Sequence, residues 1–95
     1  MPLAYWIVQI DLTDREAFQA YGKVVPEVLA RFGGRYIIRA GAQEVVEGRM
    51  RSRSVVIEFP DLAAARACYE SPEYQAIKPL REAASSGDIC VVEGV

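Results

Sequence analysis

The stretch from Ser54 to Gln75 does most to limit what this chain can fold into. Val55, Ile57 and Phe59 alternate with Ser54, Val56 and Glu58, the two-residue period of a strand. Pro60 has no N–H to give a ladder and ends the strand. Asp61 offers a carboxylate to cap a helix beginning at Leu62, which carries Leu62, Ala65 and Tyr69 on one side. Ser71 followed by Pro72 is a second helix start, a cap with proline in the first helical position. A central strand therefore feeds a capped, broken helix.

The segments before it are read the same way. Ala4 to Asp11 alternates Trp6, Val8 and Ile10 with Tyr5, Ile7, Gln9 and Asp11, giving a first strand with one apolar and one mixed face. Thr13-Asp14-Arg15-Glu16 fits a capping box with Thr13 as cap. Phe18, Tyr21, Val25, Val28, Leu29 and Phe32 then recur at helical spacing. Pro26 inside this helix disturbs the carbonyl of Gly22 and predicts a kink, and Gly33-Gly34 supplies the stop. Arg35 to Ala40 reads as strand two, with Tyr36, Ile38 and Ala40 set against Arg35, Ile37 and Arg39. Gly41 marks a bulge or bend. Pairing is expected to resume through Glu44-Val45-Val46-Glu47, with a turn near Gly48 and Arg49.

Beyond the central stretch, short helical segments from Pro72 and from Pro79 to Ala84 fill the connection. Asp88 to Glu93 forms strand four, with Ile89 and Val91 opposite Cys90 and Val92. The order β-α-β-β-α-β describes an α+β, ferredoxin-like domain spanning residues 1–95: a four-stranded, mostly antiparallel sheet with two helices on one face. Strands one and three are expected side by side and parallel in the middle. Tyr5, Ile7, Ile37 and Val56 make the other face too apolar to meet water, so a second copy is expected to cover it as a homodimer.

Composition removes whole classes of function. The 95 residues contain no histidine, which excludes His-dependent triads, His-ligated haem and most zinc catalysis. A net charge of −2 opposes nucleic-acid binding, which needs a basic field. No apolar run approaches the roughly 20 residues of a membrane span, and Met1-Pro2-Leu3 leads straight into a strand without signal-peptide character. Cys68 and Cys90 make no disulfide framework and read as small buried hydrophobes. The expectation is a cytoplasmic protein with no cofactor.

Tyr5-Trp6, Gly33-Gly34-Arg35-Tyr36 leading to Arg39, Glu47-Gly48, Val56-Ile57-Glu58-Phe59-Pro60, Tyr69, Ser71-Pro72-Glu73-Tyr74-Gln75 and Leu80-Arg81 together resemble a known family across the whole chain. It is the dimeric alpha/beta-barrel superfamily, in the branch called domain of unknown function 1330. The chain departs from it at Met50 and Cys68, where tryptophan is expected. The resemblance implies a homodimer with a cavity at the sheet faces. It also implies cousins that include cofactor-independent monooxygenases, haem-degrading enzymes and polyketide cyclases, while the branch itself has no established activity.

Tyr5, Arg39 and Glu58 form the sharpest candidate constellation if all three point to the enclosed face. A fixed Arg39 would orient a carboxylate or enolate oxygen, a desolvated Glu58 would act as a base, and Tyr5 would donate a hydrogen bond. The plainer reading is that Arg39 and Glu58 neutralise each other. Tyr69, Ser71 and Tyr74 could place hydroxyls at a cavity mouth, or simply cap and pack. Arg81 could clamp an anion or bridge to Glu70 or Glu73. Arg49, Arg51 and Arg53 alternate along the hairpin, as a phosphate site or as a solvated flank that resists edge pairing. Cys68 lacks a base to act as nucleophile. Asp11, Asp14 and Glu16 could bind a hard cation but are explained by capping. Two functions remain: a protein that binds or transforms a small aromatic or anionic metabolite between sheet and helices without a metal, or a non-catalytic dimerisation or protein-interaction module.

Overall fold

In the computed structural model, which describes residues 2–95, the chain runs β1 (Ala4–Leu12), α1 (Arg15–Arg31), β2 (Arg35–Arg39), β3 (Arg53–Phe59), α2 (Leu62–Glu70), α3 (Pro72–Ala84) and β4 (Ser85–Glu93). Met1, which opens the run expected to lead into the first strand, lies outside the described residues. The sheet order is β2-β3-β1-β4. The fold is ferredoxin-like, with the helices layered on one face. β1 and β3 pair antiparallel, not parallel as expected. The reason is directional. The α1 crossover sends β2 the same way as β1, and the reversal into β3 turns that strand against both.

The apolar phases read for β1, β3 and β4 land on the helix side of the sheet. Trp6, Ile10, Ile57 and Phe59 are buried with Val25 and Leu29 of α1 and Ala65 of α2. Trp6 anchors the layer: its ring lies 5.3 Å from Phe59 and 5.0 Å from Tyr74, and its Nε1 donates to the Ala65 carbonyl at 2.9 Å. That bond satisfies a donor that burial would otherwise leave unpaired. Fully burying such a side chain contributes about 1.5–3 kcal/mol.

Local chemistry sets the helix ends. Asp14, rather than Thr13, caps α1, its carboxylate accepting from the Ala17 N–H at 3.0 Å. At the other end Gly33 takes φ +75°, and the N–H groups of Gly33 and Gly34 reach the carbonyls of Ala30 and Leu29. Ser71 ends α2 and starts α3, bonding the Cys68 carbonyl at 2.7 Å and accepting from Tyr74 N–H at 3.1 Å. The two short segments expected after Ser71 are one helix that contains Pro79.

Strand two departs most from expectation. The β2–β3 register slips between Tyr36 and Ile38, so the bulge falls at Ile37 rather than Gly41. Residues 44–47 form no strand, and Val46 is 84% exposed. Side chains of β1 take the backbone donors that a longer ladder would use. Gln9 Oε1 accepts from Arg51 N–H at 3.0 Å and Asp11 Oδ1 from Ser52 N–H at 2.9 Å. Opposite the helices, Ile7, Ile37, Ile38 and Val92 are each at least 40% exposed, and Cys90 is exposed rather than buried.

Candidate functional site

Between the sheet and α1 lies a cavity of about 370 Å³, near the small end of the roughly 300–1,000 Å³ typical of ligand sites. Its floor is the apolar phase of β1 and β3, with Trp6, Val8, Ile10, Val55 and Ile57, and Phe18 of α1 closes over it. The charged residues around it are Arg15, Lys23, Arg39, Arg53 and Arg81, and no carboxylate lines it. None of these five cations makes an ion pair among the described residues. A chain of net charge −2 thus concentrates uncompensated positive charge in one cavity.

The Ile37 bulge delivers Arg39 there. Plain alternation would put Arg39 on the same face as Arg35, but the extra residue moves it opposite Val55, a core-phase position. Its guanidinium lies over the Tyr36 ring, 4.4 Å from the centroid, and Nη2 donates to the Gly22 carbonyl at 3.4 Å. That carbonyl is the one that Pro26, lacking an N–H, leaves without its helical partner. Arg53 continues the phase of Val55 and Ile57, lies 5.5 Å from the centre of the Phe18 ring, and has a buried Nε with no hydrogen-bond partner.

Deeper in, three polar groups meet. The Tyr21 and Tyr74 hydroxyls are 2.8 Å apart, and Arg81 Nε donates to the Tyr74 hydroxyl at 3.2 Å. Burial, helped by the neighbouring Tyr74 hydroxyl, pushes the pKa of the Tyr21 phenol far above its ordinary value. Burial also raises Tyr36, against the pull of Arg39. Both hydroxyls therefore remain protonated near neutral pH, as hydrogen-bond donors rather than bases.

The proposed constellation of Tyr5, Arg39 and Glu58 does not assemble. Tyr5 and Glu58 are register partners on the outer face, where Glu58 pairs with Arg35 at 3.0 Å, while Arg39 lies on the helix side. Tyr69 packs edge-to-face against Trp6, with ring centres 5.7 Å apart, and Ser71 caps; neither lines the cavity. Tyr74 reaches it only through Tyr21 and Arg81. Arg81 lines it and bonds neither Glu70 nor Glu73. The arginines of the expected hairpin separate: Arg51 pairs with Asp11 at 3.1 Å and Asp88 at 3.0 Å on the outer side, and Arg53 enters the cavity. The sequence singles out neither Arg15, Lys23 nor Tyr21 for a site, and it groups Arg53 with Arg49 and Arg51 on the hairpin rather than at this cavity. For Arg53 the signal was present, a cation in phase with Val55, Ile57 and Phe59.

A family model described as a domain of unknown function, DUF1330, matches residues 3–95. The chain belongs to this family. The match confirms the resemblance carried by the Ser71-Pro72-Glu73-Tyr74-Gln75 string and its companions. No curated protein matches the sequence. Among solved structures, this DUF1330 chain is similar to RPA0582 of Rhodopseudomonas palustris, a protein of unknown function. The TM-score is 0.79 at 19% identity, over 99% of this chain and 83% of that one. It is similar to SnoaB of Streptomyces nogalater, a cofactor-independent oxygenase, with TM-score 0.68 at 13% identity, over 100% of this chain and 95% of SnoaB. A dimeric protein of unknown function with a ferredoxin-like fold from Bacteroides fragilis matches with TM-score 0.55 at 16% identity, over 97% of this chain and 96% of its own. At such identities the likeness establishes the fold.

Proposed function

We propose that this DUF1330 protein is a homodimer that binds a small organic acid with an apolar or aromatic body in the cavity between sheet and helices. One observation carries the reading: five cations and no carboxylate surround an apolar floor. An uncompensated guanidinium beside apolar surface is costly unless an anion joins it. The apolar walls favour a ring or chain, and the cations fix its acidic group. Two further observations support the homodimer: the bare Ile7, Ile37, Ile38 and Val92 face, and the dimeric state of the Bacteroides fragilis protein.

The chemistry available is stabilisation of negative charge. Arg39, Arg81 and the protonated tyrosines would hold an enolate or phenolate, but no carboxylate or histidine stands by to remove a proton. A cofactor-independent oxidation of the kind that SnoaB's name describes would therefore need a substrate that arrives ionised. A screen of aromatic acids, quinols and acyl compounds by thermal shift tests the reading. A true ligand at one hundred times its Kd should stabilise by about 2.7 kcal/mol, and Arg39→Ala should remove most of that. A flat screen beside a tight dimer, or an Arg39→Ala variant that weakens only the dimer, would favour the non-catalytic module.

A further inference from the structure

Two arginines well separated on the chain, one buried and one half-buried, each lack an anionic partner among the described residues. Arg81 on α3 is only 9% exposed, and among the described residues the one hydrogen-bond partner of its guanidinium is the neutral Tyr74 hydroxyl. Arg53 on β3 has an Nε sealed from solvent with no partner. The two enter the cavity from opposite layers, Arg81 from the helices and Arg53 from the sheet. Arg39 stands diagonally beside Arg53, opposite Val55, at a separation of about 7–8 Å set by sheet geometry. Beyond its place over the Tyr36 ring, its guanidinium has one hydrogen bond among the described residues, a long one to the Gly22 carbonyl. Entry from opposite layers gives the cavity two cationic stations, Arg81 on one side and Arg53 with Arg39 on the other, over a shared apolar floor of Val8, Ile10 and Val55.

Resting on the binding reading above, we infer that the ligand is a diacid. One carboxylate sits on Arg81, a second lies between Arg53 and Arg39, and an apolar, ring-sized body joins them. A guanidinium suits a carboxylate because its planar fork can give two parallel N–H···O bonds. Tyr74 is a positioning residue: by holding Arg81 Nε it leaves the terminal nitrogens free for the acid.

Calorimetric titration of the full chain at low salt, with naphthalene-2-carboxylate and naphthalene-2,6-dicarboxylate, separates the outcomes. The diacid should bind at least tenfold tighter, about 1.4 kcal/mol, beyond the roughly twofold gain a symmetric probe has by counting. Arg81→Met and Arg53→Met should each bring the diacid down to the affinity of the monoacid. Arg81→Met should leave the unliganded melting temperature unchanged or raised, since it removes a buried charge without a counter-ion. Should that variant fail to fold, Arg53→Met alone carries the comparison. Tyr74→Phe should weaken the diacid more than the monoacid. Equal binding of the two probes overturns the diacid and leaves the binding reading standing. A diacid advantage that survives Arg53→Met also overturns it. Binding of neither probe overturns both.

Discussion

Cys68 shows how burial alone decides chemistry at a single residue. On the buried side of α2 with Glu73 nearby, its thiol is pushed up to about 12, first by desolvation and then by that carboxylate. A thiol so protonated is no nucleophile at neutral pH. The unfolded thiol ionises near its ordinary 9.0, so stability is full below that pH and declines as pH rises between 9.0 and about 12. Alkylation at pH 8 should modify Cys90 and spare Cys68 until the chain unfolds, as peptide mass mapping would show. Modification of native Cys68 at a comparable rate would contradict its burial. Cys68→Ser should move the alkaline decline in stability to higher pH. At the same scale, Arg39 and Glu58 show that residue type does not fix a partnership: each has its own neighbour, on opposite sides of one sheet.

At the scale of elements, the structure turns on how the chain disposes of backbone donors it cannot pair internally. The first turn of α1 gives one to Asp14, so Asp14→Ala should cost about 1 kcal/mol in urea unfolding and Thr13→Ala much less. The reverse order would return the cap to Thr13. The connection over residues 40–52 has no ladder and is held by Arg51 against Asp11 and Asp88, and by Asp11 on the Ser52 N–H. The Ser52 bonds, with help from Arg51, hold the Asp11 carboxyl below its ordinary range. This hold is therefore complete above the ordinary carboxylate pKa and is lost as pH falls through the lowered value. Hydrogen exchange over residues 40–52 should quicken in Arg51→Ala at neutral pH, and in the unaltered chain only in strong acid. Equal protection in the variant would mean that the arginine does not restrain the loop.

For the whole molecule, the two faces of the sheet have different fates. One is closed by three helices around Trp6 and the cavity; the other leaves Ile7, Ile37, Ile38 and Val92 in water. Ile7→Lys places a charge in the middle of that face without touching the core. It should yield a monomer by sedimentation at micromolar concentration while keeping any ligand-induced thermal shift. Cys90 lies opposite Ile7 on this face, so its labelling should slow as protein concentration rises. Dimers that survive Ile7→Lys, with Cys90 reacting equally at all concentrations, would place the interface elsewhere.

The sequence by itself determined the element order, the core phase and the family. Trp6, Val8 and Ile10, then Val55, Ile57 and Phe59, are spaced by the backbone's own period, and Gly33 and Ser71-Pro72 act on their nearest neighbours. Only the tertiary structure decided the candidate site. A single unpaired residue at Ile37 inverts every side chain after it, which takes Arg39 from the face that plain alternation assigns it with Glu58 into the cavity. Tyr21 meets Tyr74, which Arg81 bonds from two turns along the same helix, because α1 and α3 pack together, a contact between residues far apart in the chain. Periodicity reports which way a side chain points relative to its neighbours in sequence. It carries no record of a slip in pairing or of which helices touch, and those two events set where the positive charge collects.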